Sequence, residues 1–177
     1  MPSAGDSRAR WDVVPQPERA RFEGGRWRRF GSVRLTLHSD YALRALLFLA
    51  ARPDDVVSIG EIAAAYGISA HHLAKVAQKL GHTQYVTLLR GPKGGLRLAR
   101  APQAISIGDV VRQFEPDMAL VECFAPETNT CPIARACGLK GILAGAQASF
   151  LAHLDSHTLA DAADRPQALL QLLKRSR

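Results

Sequence analysis

The apolar positions of this chain change period several times, and each change marks an element. Ala42, Ala45, Leu46 and Leu49 recur at helical spacing, while Leu43, Leu47 and Phe48 carry the apolar surface most of the way round. This predicts a core helix from Ser39, with Thr36 or Ser39 as its cap and Asp40 well placed at its positive N-terminus. Arg52-Pro53-Asp54-Asp55 ends it. Ser58-Ile59-Gly60-Glu61 has capping-box spacing and opens a second helix to about Tyr66, where Gly67 supplies a left-handed stop. Ser69 then caps a third helix over 70–80, stopped by Gly81. Two short helices joined by a turn containing glycine make a helix-turn-helix pattern.

The period next drops to two. Tyr85 to Arg90 reads as a strand, Gly91-Pro92-Lys93-Gly94 as a turn, and Gly95 to Ala99 as a second strand. A β-hairpin directly after the third helix is the wing of a winged helix, and its glycine-rich tip lets Arg90, Lys93, Gly94 and Arg97 approach phosphates closely. Another capping box, Ser106-Ile107-Gly108-Asp109, starts a short helix that ends near Phe114, before Glu115-Pro116. Farther on, Leu139, Ile142, Leu143, Ala146, Phe150 and Leu154 share one face of a long helix. Beside a winged helix, such a face serves dimerisation or packs on its own subunit; dimerisation is the preferred reading. The expected fold is mainly α with a small β-hairpin: a winged helix-turn-helix DNA-binding domain over 33–100, a linker helix and cysteine loop over 101–138, a dimerisation helix and short terminal helix over 139–165, and a flexible tail over 166–177.

Composition places this fold among soluble cytoplasmic proteins. Hydrophobic content of 47% supplies a core, no apolar run reaches the length of a membrane span, and no secretory leader opens the chain. Net charge is +7. Residues 1–32 contribute +3 of it, from seven Arg against four acids, and the other 145 residues contribute +4, from sixteen Lys and Arg against twelve acids. The first 32 residues, rich in Arg, Gly and Pro and lacking apolar periodicity, read as a disordered arm, or as sequence upstream of a true start at Val33.

All three cysteines lie between Cys123 and Cys137, spaced Cys123-x7-Cys131-x5-Cys137. An odd count without a secretion signal argues against a disulfide framework. Zinc sites present Cys or His in tighter pairs, and no histidine lies inside the window. Thiolates spread through a loop with Pro126, Asn129, Pro132 and Gly138 suit a larger inorganic core such as an iron–sulfur cluster, which needs about four ligands. The fourth is then a residue other than Cys, a water, or a group from another subunit. Three structural thiols are the plainer alternative.

Several runs resemble the NsrR/IscR family of bacterial winged-helix regulators: Val33 to Leu46, Ile59-Gly60-Glu61-Ile62-Ala63, His72-Leu73-Ala74-Lys75-Val76, Arg90 to Gly95, and Leu154 to Asp161. The resemblance covers Val33 to about Asp164. The long first cysteine gap, and Lys140 where IscR-type members carry histidine, make the pattern more similar to the nitric-oxide-sensing NsrR type than to the IscR type that follows cluster supply or redox state.

The resemblance implies a cluster, [4Fe-4S] favoured over [2Fe-2S], held by Cys123, Cys131 and Cys137 with Asp40 of the partner subunit as fourth ligand. Asp40 serves equally well as a first-turn helix acid. It further implies a homodimeric repressor, not an enzyme, that places one recognition helix per half-site of a pseudo-palindromic double-stranded operator and loses affinity when nitric oxide nitrosylates the cluster. On that helix Lys75 and Gln78 are candidates for base edges, Ser69 and Lys79 for phosphates, with His71 and His72 beside them. Regulation by cluster supply, and a zinc-stabilised DNA binder without sensing, are the competing expectations.

Overall fold

Thr36 begins the first helix. Its side chain accepts a hydrogen bond from the Ser39 backbone N–H at 3.3 Å, so Thr36 is the cap and Ser39 is buried one turn inside. In the computed structural model, which describes residues 34–91 and 94–175 (side chains to residue 173), helix α1 spans Leu37–Ala50. It buries Ala42, Ala45, Leu46, Phe48 and Leu49 because it packs against helices before and after the hairpin and against the hairpin's second strand. The arm over 1–32 and the wing-tip residue Lys93 lie outside the described residues.

Helix α2 (Ile59–Tyr66) is capped by Ser58, which accepts from Glu61 N–H at 3.1 Å. The Glu61 carboxylate takes Arg52 instead of closing the box, at 2.5 Å. Gly67, at φ 63°, ends α2 in the left-handed region as expected. Helix α3 (Ala70–His82) is capped by Ser69 and runs through Gly81 rather than stopping there. The missing side chain at Gly81 serves packing: a Cβ there would lie 2.8 Å from Leu88 Cδ1. The left-handed turn falls three residues later, at Gln84 with φ 59°.

Strands β1 (Val86–Leu89) and β2 (Gly95–Leu98) pair antiparallel, with Val86 opposite Leu98 and Leu89 opposite Gly95. Val57, between α1 and α2, exchanges hydrogen bonds with Leu96 at 2.7 and 2.9 Å and so ties the hairpin's base to the helices. Gly95 is required by this contact, since a Cβ would sit 2.4 Å from the Val57 carbonyl oxygen.

Helix α4 (Ile107–Phe114) follows, capped by Ser106. Helix α5 (Gly138–Asp155) crosses it so closely at Gly108 that a Cβ there would lie 1.9 Å from Asp155 Oδ1 and 3.0 Å from the Asp155 backbone nitrogen. Arg112 seals the crossing with two hydrogen bonds to the Asp155 carboxylate, one at 2.7 Å. This partner holds the Asp155 carboxyl below its ordinary value. Helix α6 (Leu159–Ala162) carries a complete capping box, Thr158 with Asp161, and buries Leu159.

The tail expected to be flexible is instead a seventh helix, α7 (Pro166–Arg175). Proline is favourable in the first turn, and Leu173 packs against the core where α7 meets α1 and α2. The fold is mainly α with one β-hairpin, and its core gathers Leu46, Leu49, Ile62, Leu73, Leu80, Phe114 and Leu159 from α1, α2, α3, α4 and α6.

Gly108→Ala gains about 1 kcal/mol of helix propensity but forces α4 and α5 apart and displaces the Asp155 carboxylate. Overpacking of this kind costs about 1–3 kcal/mol, so the variant is expected to unfold at lower urea concentration. A midpoint equal to or above wild type would contradict the close crossing.

Candidate nucleic-acid interface and cysteine segment

Helical spacing sets His71, Lys75 and Gln78 on one exposed face of α3, opposite buried Leu73, Val76, Ala77 and Leu80. Because α3 extends past Gly81, exposed His82 continues that face, a residue passed over when the helix was expected to end earlier. His72 stands beside the stripe, its ring centroid 5.9 Å from that of His71, and Ser69 Oγ accepts the His72 backbone N–H at 3.4 Å. Lys79 points the other way, its ammonium 4.9 Å from the centre of the Phe114 ring of α4, so its charge is engaged within the chain.

Exposed Arg90 and Arg97 extend from the hairpin, and Gly94 closes its tip by donating to the Gly91 carbonyl at 2.8 Å. A Cβ at Gly94 would fall 2.4 Å from the Leu89 carbonyl oxygen, so only glycine fits. A groove of about 1110 Å³ brings Gln78 and His82 of α3 together with Arg90 of the wing.

Between α4 and α5 the chain is held by specific hydrogen bonds. Glu115, 9% exposed, accepts the Thr36 backbone N–H at 2.7 Å and fastens the start of the cysteine segment to the cap of α1. Gln147 of α5 donates to the Met118 carbonyl. Glu122 accepts both the backbone N–H and the hydroxyl of Thr130, each at 2.6 Å, and these bonds hold its carboxyl below the usual range. That clamp joins the immediate neighbours of Cys123 and Cys131, and it escaped sequence reading because nothing in an eight-residue loop spacing announces a hydrogen bond.

Cys123, Cys131 and Cys137 are free thiols, each half-buried. Cys123 lines a cavity of about 450 Å³ with Met118, Phe124, Lys140 and Gln147, and Cys137 caps α5 without a side-chain hydrogen bond. Among the described residues no three His, Cys, Asp or Glu side chains converge to hold a metal within one chain. The donor set nevertheless fits an iron–sulfur group in kind: three unpaired soft thiols on one clamped segment. Asp40 pairs with Arg44 on its own helix at 2.9 Å and remains 38% exposed.

Helix α5 buries none of its eighteen residues. Ile142 is 70% exposed, Leu139 58% and Phe150 44%, and Ile133 of the cysteine segment is 62% exposed. Gly141 and Gly145 have nothing within 4 Å of where a Cβ would stand.

Two helices joined at Gly67, then a paired wing, define a winged helix-turn-helix, the architecture of a transcriptional regulator rather than an enzyme. Residues 35–165 match the Rrf2 family, described as iron-dependent transcriptional regulators, and the chain belongs to that family. It is 46% identical to HTH-type transcriptional regulator NsrR of Bacillus subtilis (strain 168) over 143 residues, 80% of this chain and 98% of that protein. It is 44% identical to the protein of the same name from Geobacillus kaustophilus (strain HTA426) over 146 residues, covering 82% and 99%. Similar solved structures include CymR, the global cysteine regulator of B. subtilis, at TM-score 0.60 and 26% identity, covering 75% of this chain and 98% of that one. T. potens IscR matches at TM-score 0.61 and 26% identity, covering 75% and 88%. Among the described residues no helix is long and apolar enough to cross a membrane.

Thr130→Val removes the hydroxyl bond to Glu122 and leaves the backbone one. The Glu122 carboxyl, followed by NMR, is expected to titrate below its ordinary 4.5 in wild type and closer to it in the variant. Equal values in both would remove the clamp.

Proposed function

We propose that this protein is a cytoplasmic, homodimeric repressor that responds to nitric oxide, with Cys123, Cys131 and Cys137 holding an iron–sulfur cluster and Asp40 of the partner subunit completing it. The observation that carries this reading is a segment bearing three free thiols that leads, at Cys137, directly into an α5 whose apolar face is unburied, in a chain 46% identical to a protein named NsrR. A [4Fe-4S] group is favoured by that likeness. Bound there, the cluster supplies iron sites open to nitric oxide.

The chain's own residues do the rest. Leu139, Ile142 and Phe150 pack against the same face of a second copy. The dimer sets the distance between two α3 stripes, so that His71, Lys75 and Gln78 of each enter successive major grooves while Arg90, Lys93 and Arg97 reach toward phosphates. At the start of α3 the Ser69 hydroxyl donates its hydrogen to a phosphate, while its oxygen accepts the His72 backbone N–H. Ligation of the three thiols stiffens the segment that Glu115 fastens to α1 and Gln147 fastens to α5. Loss of ligation frees the segment and relaxes the dimer spacing, and operator affinity falls.

Ile142→Asp places a charge on the apolar face without touching the core. Sedimentation velocity is expected to show a dimer for wild type and a monomer for the variant; a dimeric variant would place the interface elsewhere. Protein purified without oxygen is expected to be straw-brown, with a broad visible band that collapses on adding nitric oxide, and Cys131→Ala is expected to be colourless. A colourless wild type that contains zinc, or that stays colourless after reconstitution with iron and sulfide, would overturn the sensor and leave a winged-helix DNA binder.

A further inference from the structure

The groove of about 1110 Å³ between α3 and β1 extends beyond the recognition stripe and the wing, reaching Gln84 after α3 and Arg100 after β2. Among the described residues its lining carries His82, Arg90 and Arg100, the amides Gln78 and Gln84, and no carboxylate. Arg100 is fixed at its edge. One guanidinium nitrogen donates to the Thr83 carbonyl at 3.0 Å and the plane lies over the Tyr85 ring, 5.0 Å from its centre, which leaves other donors of the planar group for a ligand.

Gln84 gives a second, independent sign. The C-terminus of α3 is a complete Schellman turn: Tyr85 N–H bonds to the Leu80 carbonyl at 2.9 Å and Gln84 N–H to the Gly81 carbonyl at 3.0 Å. Its left-handed position favours glycine, yet Gln84 stands there, the one non-glycine residue with positive φ among those described. The strain of that conformation is retained together with a side chain that lines the groove.

We infer that this groove is a channel for one sugar–phosphate strand of duplex DNA, running between the recognition helix and the wing, with Arg100 and Gln84 as contacts to its phosphates. The inference rests on the DNA-binding reading above and adds contacts that read no bases. Cationic lining without acids suits a polyanion, and fixing Arg100 in advance lowers the ordering cost of meeting it.

The test uses a mixed-sequence DNA duplex long enough for two half-sites, titrated at several salt concentrations with wild type, Arg100→Gln and Gln84→Gly. Arg100→Gln keeps a donor for the Thr83 carbonyl and removes the charge. Loss of one phosphate contact lowers the salt slope by about 0.9, which corresponds to roughly eightfold weaker binding at 0.1 M salt. Gln84→Gly is expected to melt at a higher temperature and bind more weakly, a combination that a purely structural role does not produce. Unchanged affinity and slope for Arg100→Gln, or a Gln84→Gly that is more stable and binds equally well, would overturn the channel while leaving the DNA-binding reading intact. A wild type that binds no duplex would overturn both.

Discussion

Everything placed around the cysteine segment depends on how α4 is held at its two ends. At its start, Gly108 lets α5 come near enough for Arg112 to grip Asp155, while Ile107 N–H reaches the His157 carbonyl at 3.0 Å and Leu159 N–H the Ile105 carbonyl at 2.8 Å. At its far end, Phe114 is buried beside Lys79 of α3, and Glu115 binds the backbone that caps α1. A helix of eight residues thus touches α3, the helix bearing Asp40 and the long helix α5. Protein interiors pack too densely to deform continuously, so a displacement on one side of such a joint is passed to the other.

The cysteine segment leaves this joint at Pro116 and returns to it through α5. Its internal order comes from polar contacts, the Glu122–Thr130 clamp above all, and little of it is buried. Such a segment has low local stability and responds readily to what its side chains bind. The wing is held differently, by the Val57–Leu96 bridge and by glycines that leave no room for a Cβ, which makes it a stiff support for Arg90 and Arg97. A stiff hairpin beside a little-buried cysteine segment suits the switch proposed above.

The helix-turn-helix was legible because Ser58, Gly67 and Ser69 each act through local chemistry that a sequence displays: a cap, a left-handed stop and a second cap. Tertiary packing hid the end of α3. Gly81 is a good stop by local rules, but Leu88 uses its bare Cα, and the turn moved to Gln84, taking His82 and the groove out of view. Helix α7 was missed because its basic end suggested fraying, whereas Leu173 anchors it on the core. Thr36–Glu115, 79 residues apart, carries no sequence signal at all. The three cysteines were conspicuous from their clustering, while the order of the loop that bears them depends on side-chain pairs that no periodicity encodes.

Nitric oxide sensitivity of operator binding bears most directly on the proposal that ligation at the three cysteines governs DNA affinity. Cluster-loaded protein would be titrated without oxygen against duplex DNA carrying the operator of a regulated promoter, before and after nitric oxide, with Cys131→Ala in parallel. A coupling of ordinary size lowers affinity by roughly 5–150-fold on adding nitric oxide, and Cys131→Ala should bind weakly throughout and ignore it. Equal affinity of the loaded protein with and without nitric oxide, or a Cys131→Ala protein as tight as wild type, would contradict that link between the cysteine segment and the recognition helices.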